Sequence, residues 1–147
     1  MDTLKKTPVI VLFIVLISLL AQDKPVYQML GENVKTVINT YGKPAKHDKS
    51  DPLLEMIFYK TSDLSYCFVA TDKVVFQTEM TKSYNSESSA KKAFNYYVND
   101  LIQQGMTQTD STAVKRCFHS SNKLVEVEIM DNNYKKTHEL RIKGQKF

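Results

Sequence analysis

Apolar and polar positions alternate along this chain with two different periods. Between Glu32 and Tyr41 the apolar residues Val34, Val37, Ile38 and Tyr41 recur at i, i+3, i+4 and i+7, one face of a helix. Gly42 follows as a residue suited to the left-handed turn beyond a helix end, and Pro44 prevents resumption. A longer stripe comprises Ala90, Ala93, Phe94, Tyr97, Val98, Leu101 and Ile102, with Lys91, Lys92, Asn95, Asn99 and Gln103 turned away. Asn85 or Ser86 can cap this second helix, Glu87 suits its first turn, and Gly105 ends it.

Elsewhere the pattern is that of strands. Leu53–Lys60, Leu64–Ala70 and Val74–Met80 are separated by the turn compositions Thr61-Ser62-Asp63 and Thr71-Asp72-Lys73. Ala113–His119 and Leu124–Met130 flank Ser120-Ser121-Asn122-Lys123, and Thr137–Lys143 closes the series. Val125, Val127 and Ile129 alternate with Glu126 and Glu128, giving one buried and one wet face. Gln22–Leu30 reads as a short lead-in and Lys43–Pro52 as a loop. The expected class is α+β, an open antiparallel sheet with two helices packed on one face. Phe68, Val75, Val125, Val127, Ile129, Leu140, Ile142 and the second helical stripe form the expected core.

A shift of 50 residues aligns two hairpins: Cys67-Phe68 falls on Cys117-Phe118, Val75 on Val125, Met80 on Met130 and Tyr84 on Tyr134. Either the chain repeats a helix-plus-strands unit, with halves 31–80 and 86–143, or two alternating hairpins simply look alike. The pairing so drawn sets Phe68 opposite Val75 and Phe118 opposite Val125, with Cys67 and Cys117 on the other face. Two equivalent strands meeting at the sheet centre would bring the cysteines into a disulfide; the alternative is two unlinked thiols.

The N-terminus changes the picture. Lys5 and Lys6 precede an apolar run from Val9 to Ala21 that only Ser18 interrupts, the layout of a secretory signal peptide cut near Ala21/Gln22. The run is short for a bilayer span, so no stable span is expected after cleavage; an uncleaved anchor is the rival reading. Residues 22–147 are then a single domain outside the cytoplasm, periplasmic or secreted. The net charge of +4 falls to +3 when Lys5, Lys6 and Asp2 leave with residues 1–21. That excess is spread along the chain apart from Arg141, Lys143 and Lys146, which argues against nucleic acid as a partner.

Candidate chemistry is sparse. The four glycines form no phosphate-cradling loop, and C-x-x-C, H-E-x-x-H and G-x-S-x-G are absent. His47 with Asp48 and Asp51 has weak metal-ligand spacing and reads as solvated loop. Cys117 and His119 share a strand face with Glu126 and Glu128, the one arrangement from which a thiol nucleophile with a base can be drawn. A mixed polar sheet face is the plainer reading, so no catalytic, cofactor or metal residues are assigned. Tyr84 and Tyr134 lie at matching strand ends and, with His119, Glu126 and Glu128, are the expected partner contacts.

Gly31–Pro44 reads G-E-N-V-K-T-V-I-N-T-Y-G-K-P and precedes the aromatic strand Met56-Ile57-Phe58-Tyr59. This resembles the opening of small envelope domains typified by the outer-membrane lipoprotein of the β-barrel assembly machinery and by β-lactamase inhibitor protein. Gly31, Val34, Gly42, Pro44 and Tyr59 carry the resemblance, over about 30 residues. No lipidation cysteine follows the apolar run, and Gly105-Met106-Thr107 lacks the proline. The resemblance implies a non-catalytic protein-interaction or envelope-assembly module whose partner is another envelope or extracellular protein. A small-ligand carrier, with a pocket between helices and sheet, is the alternative.

Overall fold

A computed structural model describes residues 24–147, so the expected signal segment, residues 1–21, lies outside the described residues. The chain forms a 3-10 turn at Val26–Met29 and two α-helices, α1 at Val34–Tyr41 and α2 at Glu87–Gln103. Eight strands follow in chain order: β1 Lys46–Asp48, β2 Glu55–Lys60, β3 Leu64–Thr71, β4 Val74–Tyr84, β5 Thr107–Ser111, β6 Lys115–His119, β7 Lys123–Asn132 and β8 Thr137–Lys146. They build one antiparallel sheet in the order β1-β2-β3-β4-β8-β7-β6-β5. The α+β class and the open antiparallel sheet are as the sequence patterning predicts. Among the described residues no helix is long and apolar enough to cross a membrane.

Local chemistry sets the helix starts. Asn33 caps α1 by accepting from the Lys35 amide at 2.9 Å. Glu32, expected inside the helix, is instead held in a strand-like pairing: its carbonyl accepts from Val75 at 2.9 Å, and Gly31 donates to the Val75 carbonyl at 2.7 Å. Ser86 caps α2, accepting from the Ser89 amide at 3.2 Å. Ile102, expected on the buried stripe, is 52% exposed. At 3.6 residues per turn it sits about 120° round the helix from Ala90, whereas Leu101 sits about 20° away and is fully buried.

Two strands carry no apolar alternation and were not expected. β1 lies inside the predicted loop, and β5 follows α2 with every residue exposed. Both are short polar edges, the form that blunts pairing with other chains. The hairpin β6–β7 has the expected register, Phe118 opposite Val125. In β3–β4 a bulge between Val69 and Ala70 shifts the register, so Phe68 faces Thr78 and Val75 faces Ala70.

One cross-strand row explains the core. Ile57, Phe68, Thr78, Gly144, Val125 and Phe118 stand side by side across six strands. The row is large at both flanks and small at the β4–β8 seam. The segment around the 3-10 turn, read from sequence as a mere lead-in, packs on that seam through β4 and β8. Val26, Tyr27, Met29 and Leu30 are all at most 3% exposed. At about 1.5–3 kcal/mol for each large apolar side chain removed from water, this segment is a major part of the core. The Tyr27 hydroxyl donates to the Asp100 carboxylate of α2, and Tyr41 of α1 donates to the Lys24 carbonyl at 2.5 Å.

The helices meet the sheet at named side chains. The Tyr41 ring lies 5.0 Å from Tyr66 and 5.1 Å from Phe68. On α2, Tyr97 reaches Met80 Sδ at 3.9 Å, and the Arg116 guanidinium sits 5.6 Å over the Phe94 ring.

A Cβ at Gly144 would meet Thr78 Oγ1 at 2.6 Å and Leu30 Cδ1 at 2.9 Å. Gly144→Ala is therefore expected to destabilise the fold by about 1–3 kcal/mol, as overpacking does. Urea unfolding monitored by tyrosine fluorescence checks this; an unchanged midpoint would mean the seam is not tightly filled.

Candidate functional site

The sheet face away from the seam-packed segment carries most of the sequence-predicted site residues. A second straight row there reads Cys67, Glu79, Lys143, Glu126, Cys117. The two cysteines share this face but sit in β3 and β6, with β4, β8 and β7 between them. Four strand spacings place them roughly 19 Å apart, well outside disulfide reach. Both are free thiols, so of the two arrangements the sequence left open the structure has the unlinked one. The strands that meet at the centre are β4 and β8, whereas the 50-residue shift lays β3 on β6.

Cys117, His119, Glu126 and Glu128 do lie on one face, since Cys117 pairs with Glu126 and Lys115 with Glu128. Their chemistry is that of a charge ladder. Lys115 holds Glu126 at 2.5 Å and Arg141 holds Glu128 at 2.5 Å, while Lys143 approaches Glu79 at 3.8 Å. No hydrogen bond joins Cys117 to His119 among the described residues. Burial, then the Glu126 carboxylate, pushes the Cys117 thiol up, and burial followed by Glu79 does the same at Cys67. A thiol nucleophile needs the opposite shift.

The predicted contact tyrosines go elsewhere. Tyr84 stands opposite His138 on the face that carries Met80 and Leu140. Tyr134 is 96% exposed in the β7–β8 turn. His47 lies in β1 rather than a loop and bonds Glu55 at 2.5 Å, a carboxylate that Lys49 also holds at 3.2 Å. Burial raises the Glu55 carboxyl, but the hydrogen bonds from Lys49 and His47 outweigh it and leave the group below its ordinary value. Asp48 and Asp51 are engaged by Lys46 and by the Leu53 amide, so they do not converge on His47. Among the described residues no three His, Cys, Asp or Glu side chains are placed to hold a metal ion.

A set of adjoining surface depressions lies between α2, the end of β4 and the residues preceding the 3-10 turn. A depression of about 250 Å³ is lined by Val26, Leu64, Tyr66, Met80 and Tyr97, with Lys24 and Lys82 among its walls. A second, of about 450 Å³, shares Tyr96 and Tyr97 with the first and is lined also by Tyr84, Lys92 and Ala93. A third, of about 570 Å³, shares Tyr84 and Ser89 with the second and Lys82 with the first, and adds Asp63, Ser86 and Lys135. Together they form a trough open to solvent. Buried Val26 and Met80 contribute to its lining, whereas Tyr96 is 51% exposed.

The tyrosines are fixed by their neighbours. Tyr97 meets Tyr27 edge-on at 6.5 Å and Tyr96 edge-on at 5.2 Å. The Lys82 ammonium lies 5.5 Å over the Tyr84 ring. Tyr96, Lys24, Lys82 and Lys92 were not singled out from sequence. The signal that could have found the trough is Tyr96 beside Tyr97, one residue outside the apolar stripe, with Lys92 one turn earlier on the same side.

No family model matches the chain, and no curated protein matches it. A solved structure of a cysteine-rich secretory protein from Staphylococcus aureus subsp. aureus Mu50 is similar, with a TM-score of 0.45 and 11% identity. The similarity covers 82% of this chain and 47% of that one, so this chain spans about half that protein's length. A likeness so distant assigns neither fold nor activity.

Thiol counting tests the cysteine placement. Denatured without reductant, the monomer is expected to alkylate at both cysteines, and in the native state Cys117 should react more slowly at pH 8 than after denaturation. A chain lighter by two hydrogens with no alkylation would restore the disulfide.

Proposed function

We propose that this chain is a non-catalytic protein-interaction module, periplasmic or secreted, and that the tyrosine trough between α2 and the end of β4 is its contact surface. Exposed Tyr96 carries the reading. It stands in a wall common to two depressions, beside half-buried Tyr97 and Tyr84. Tyrosine supplies large contact area at low entropic cost and a hydroxyl for hydrogen bonding, which is why it anchors interfaces. The signal-like N-terminus supports export, and the resemblance of Gly31–Pro44 to envelope interaction domains supports the class of partner, another envelope or extracellular protein.

We read the architecture as two helix-plus-four-strand units joined at the β4–β8 seam, with both helices over one face. The element order and the mirrored strand order support it. So do the contacts of Tyr41 with Phe68 and of Tyr97 with Met80, since Phe68 and Met80 point to the same side of the sheet. A small-ligand carrier is the weaker reading, because a carrier needs an enclosed cavity and the trough is open. A thiol enzyme at Cys117 is weaker still, because the thiol is shifted away from reactivity.

A photo-reactive residue in place of Tyr96 in the exporting cell is expected to give one discrete protein adduct. The same residue at exposed Asn39 should give none, and Lys82→Glu should abolish the adduct at 96. Equal adducts at 96 and 39, or none at 96 in exported protein, would overturn the assignment, whereas Cys117→Ser should leave the adduct unchanged.

A further inference from the structure

The trough has a chemistry more specific than apolar. Among the described residues four lysines line it, Lys24, Lys82, Lys92 and Lys135, against one carboxylate, Asp63. Lys135 has a distant partner in Glu139 at 4.0 Å. Among the described residues no carboxylate pairs with Lys24, Lys82 or Lys92. Asp63 accepts from Thr61 in its own turn at 3.2 Å. On the opposite sheet face, by contrast, Lys115, Arg141 and Lys143 each face a glutamate. Lys24, Lys82 and Lys92 thus stand without an acidic partner beside the exposed ring of Tyr96.

Resting on the interaction reading above, we infer that the trough's occupant is an extended acidic segment of the partner protein that carries an apolar or aromatic side chain between its carboxylates. The lining is rich in donors: lysine ammoniums donate only, and the hydroxyls of Ser89 and exposed Tyr96 can donate as well. It therefore calls for a ligand rich in acceptors. The middle compartment, with Tyr84, Ala93, Tyr96 and Tyr97, calls instead for an apolar group. A peptide supplies both within a few residues. An anionic polymer of sugar or phosphate offers the charge without the anchor. From Ser89 to Tyr97 the helix runs about 12 Å, the reach of about four residues of extended chain, and the lysines at both ends extend the site to about six.

The test uses the exported chain from Gln22 to Phe147 and a fluorescein-labelled hexapeptide of glutamates flanking a central Phe-Leu pair, followed by anisotropy. Saturable binding is expected, weakening as salt rises from 50 to 300 mM, because exposed pairs are screened. Lys82→Glu with Lys92→Glu should weaken it about tenfold or more, about 1.4 kcal/mol by the affinity relation. Tyr96→Ala should weaken it about tenfold as well. Lys35→Glu with Lys73→Glu changes the net charge equally at the far end of the sheet and should leave the affinity within about twofold. Thermal melts of each variant separate lost binding from lost folding. The inference is overturned if the peptide does not bind, if hexaglutamate binds as well as the peptide, or if polyphosphate or phosphatidylglycerol vesicles bind in the same trough more tightly. If the peptide fails while the adduct at position 96 persists in cells, the acidic segment is wrong and the contact surface stands. If both fail, the interaction reading falls too.

Discussion

The small pair at the sheet centre, Thr78 against Gly144, is the constraint on which the rest depends. Neighbouring strands lie about 4.8 Å apart, and large side chains at the seam would hold any covering segment well off the backbone. With almost nothing there, Leu30 comes within contact distance of where a Gly144 Cβ would stand. The 3-10 turn then fills the space between two flanks of large residues, Ile57 and Phe68 on one side, Val125 and Phe118 on the other. Among the described residues Thr78 Oγ1 is buried with no hydrogen-bond partner, a polar cost that accompanies this fit.

That docked segment ties three parts together. Tyr27 bonds Asp100 on α2, Tyr41 of α1 bonds the Lys24 carbonyl, and Gly31 pairs with Val75 at the start of β4. Burial, then the bonded Asp100 carboxylate, drives the Tyr27 hydroxyl far above its ordinary value, so it stays a donor across the physiological range. The position of α2 relative to the seam is thereby set. Tyr97 turns inward onto Met80 and Tyr27, and Tyr96, one residue earlier, is left outward at the trough. The trough is a consequence of this packing: its inner wall includes Val26, its far wall the end of β4, and its exposed rim α2.

Much of the fold was legible because alternation and helical stripes report burial directly. Val125, Val127 and Ile129 against Glu126 and Glu128 defined β7 and its faces, and Ala90, Phe94 and Leu101 defined the inward side of α2. What escaped had no such signal. β1 and β5 are polar edges, and the 3-10 turn is too short to show a period although it is among the most buried segments. The bulge at Val69/Ala70 altered a register that turn composition alone would set differently. The likeness of the two Cys-Phe hairpins lays β3 on β6, and these strands have three others between them in the sheet order, so the likeness carried no information about the distance between the cysteines. The trough escaped for a further reason: Lys24, Lys82, Lys92 and Tyr96 come from three separate elements, and only the seam brings them together.

The two faces of the molecule differ in how their charges are used. On one, lysine, arginine and glutamate pair across strands; near α2, Lys24, Lys82 and Lys92 stand beside tyrosines with no acidic partner among the described residues. Mapping amide chemical shifts of isotopically labelled protein against the Phe-Leu glutamate hexapeptide tests this contrast most directly. Perturbations are expected to concentrate at Lys82–Tyr84, Ser89–Tyr97 and Lys24–Val26, with Glu126, Glu128 and Lys143 unmoved. Perturbations centred on Glu126, Glu128 and Lys143, or none at saturating peptide, would contradict it.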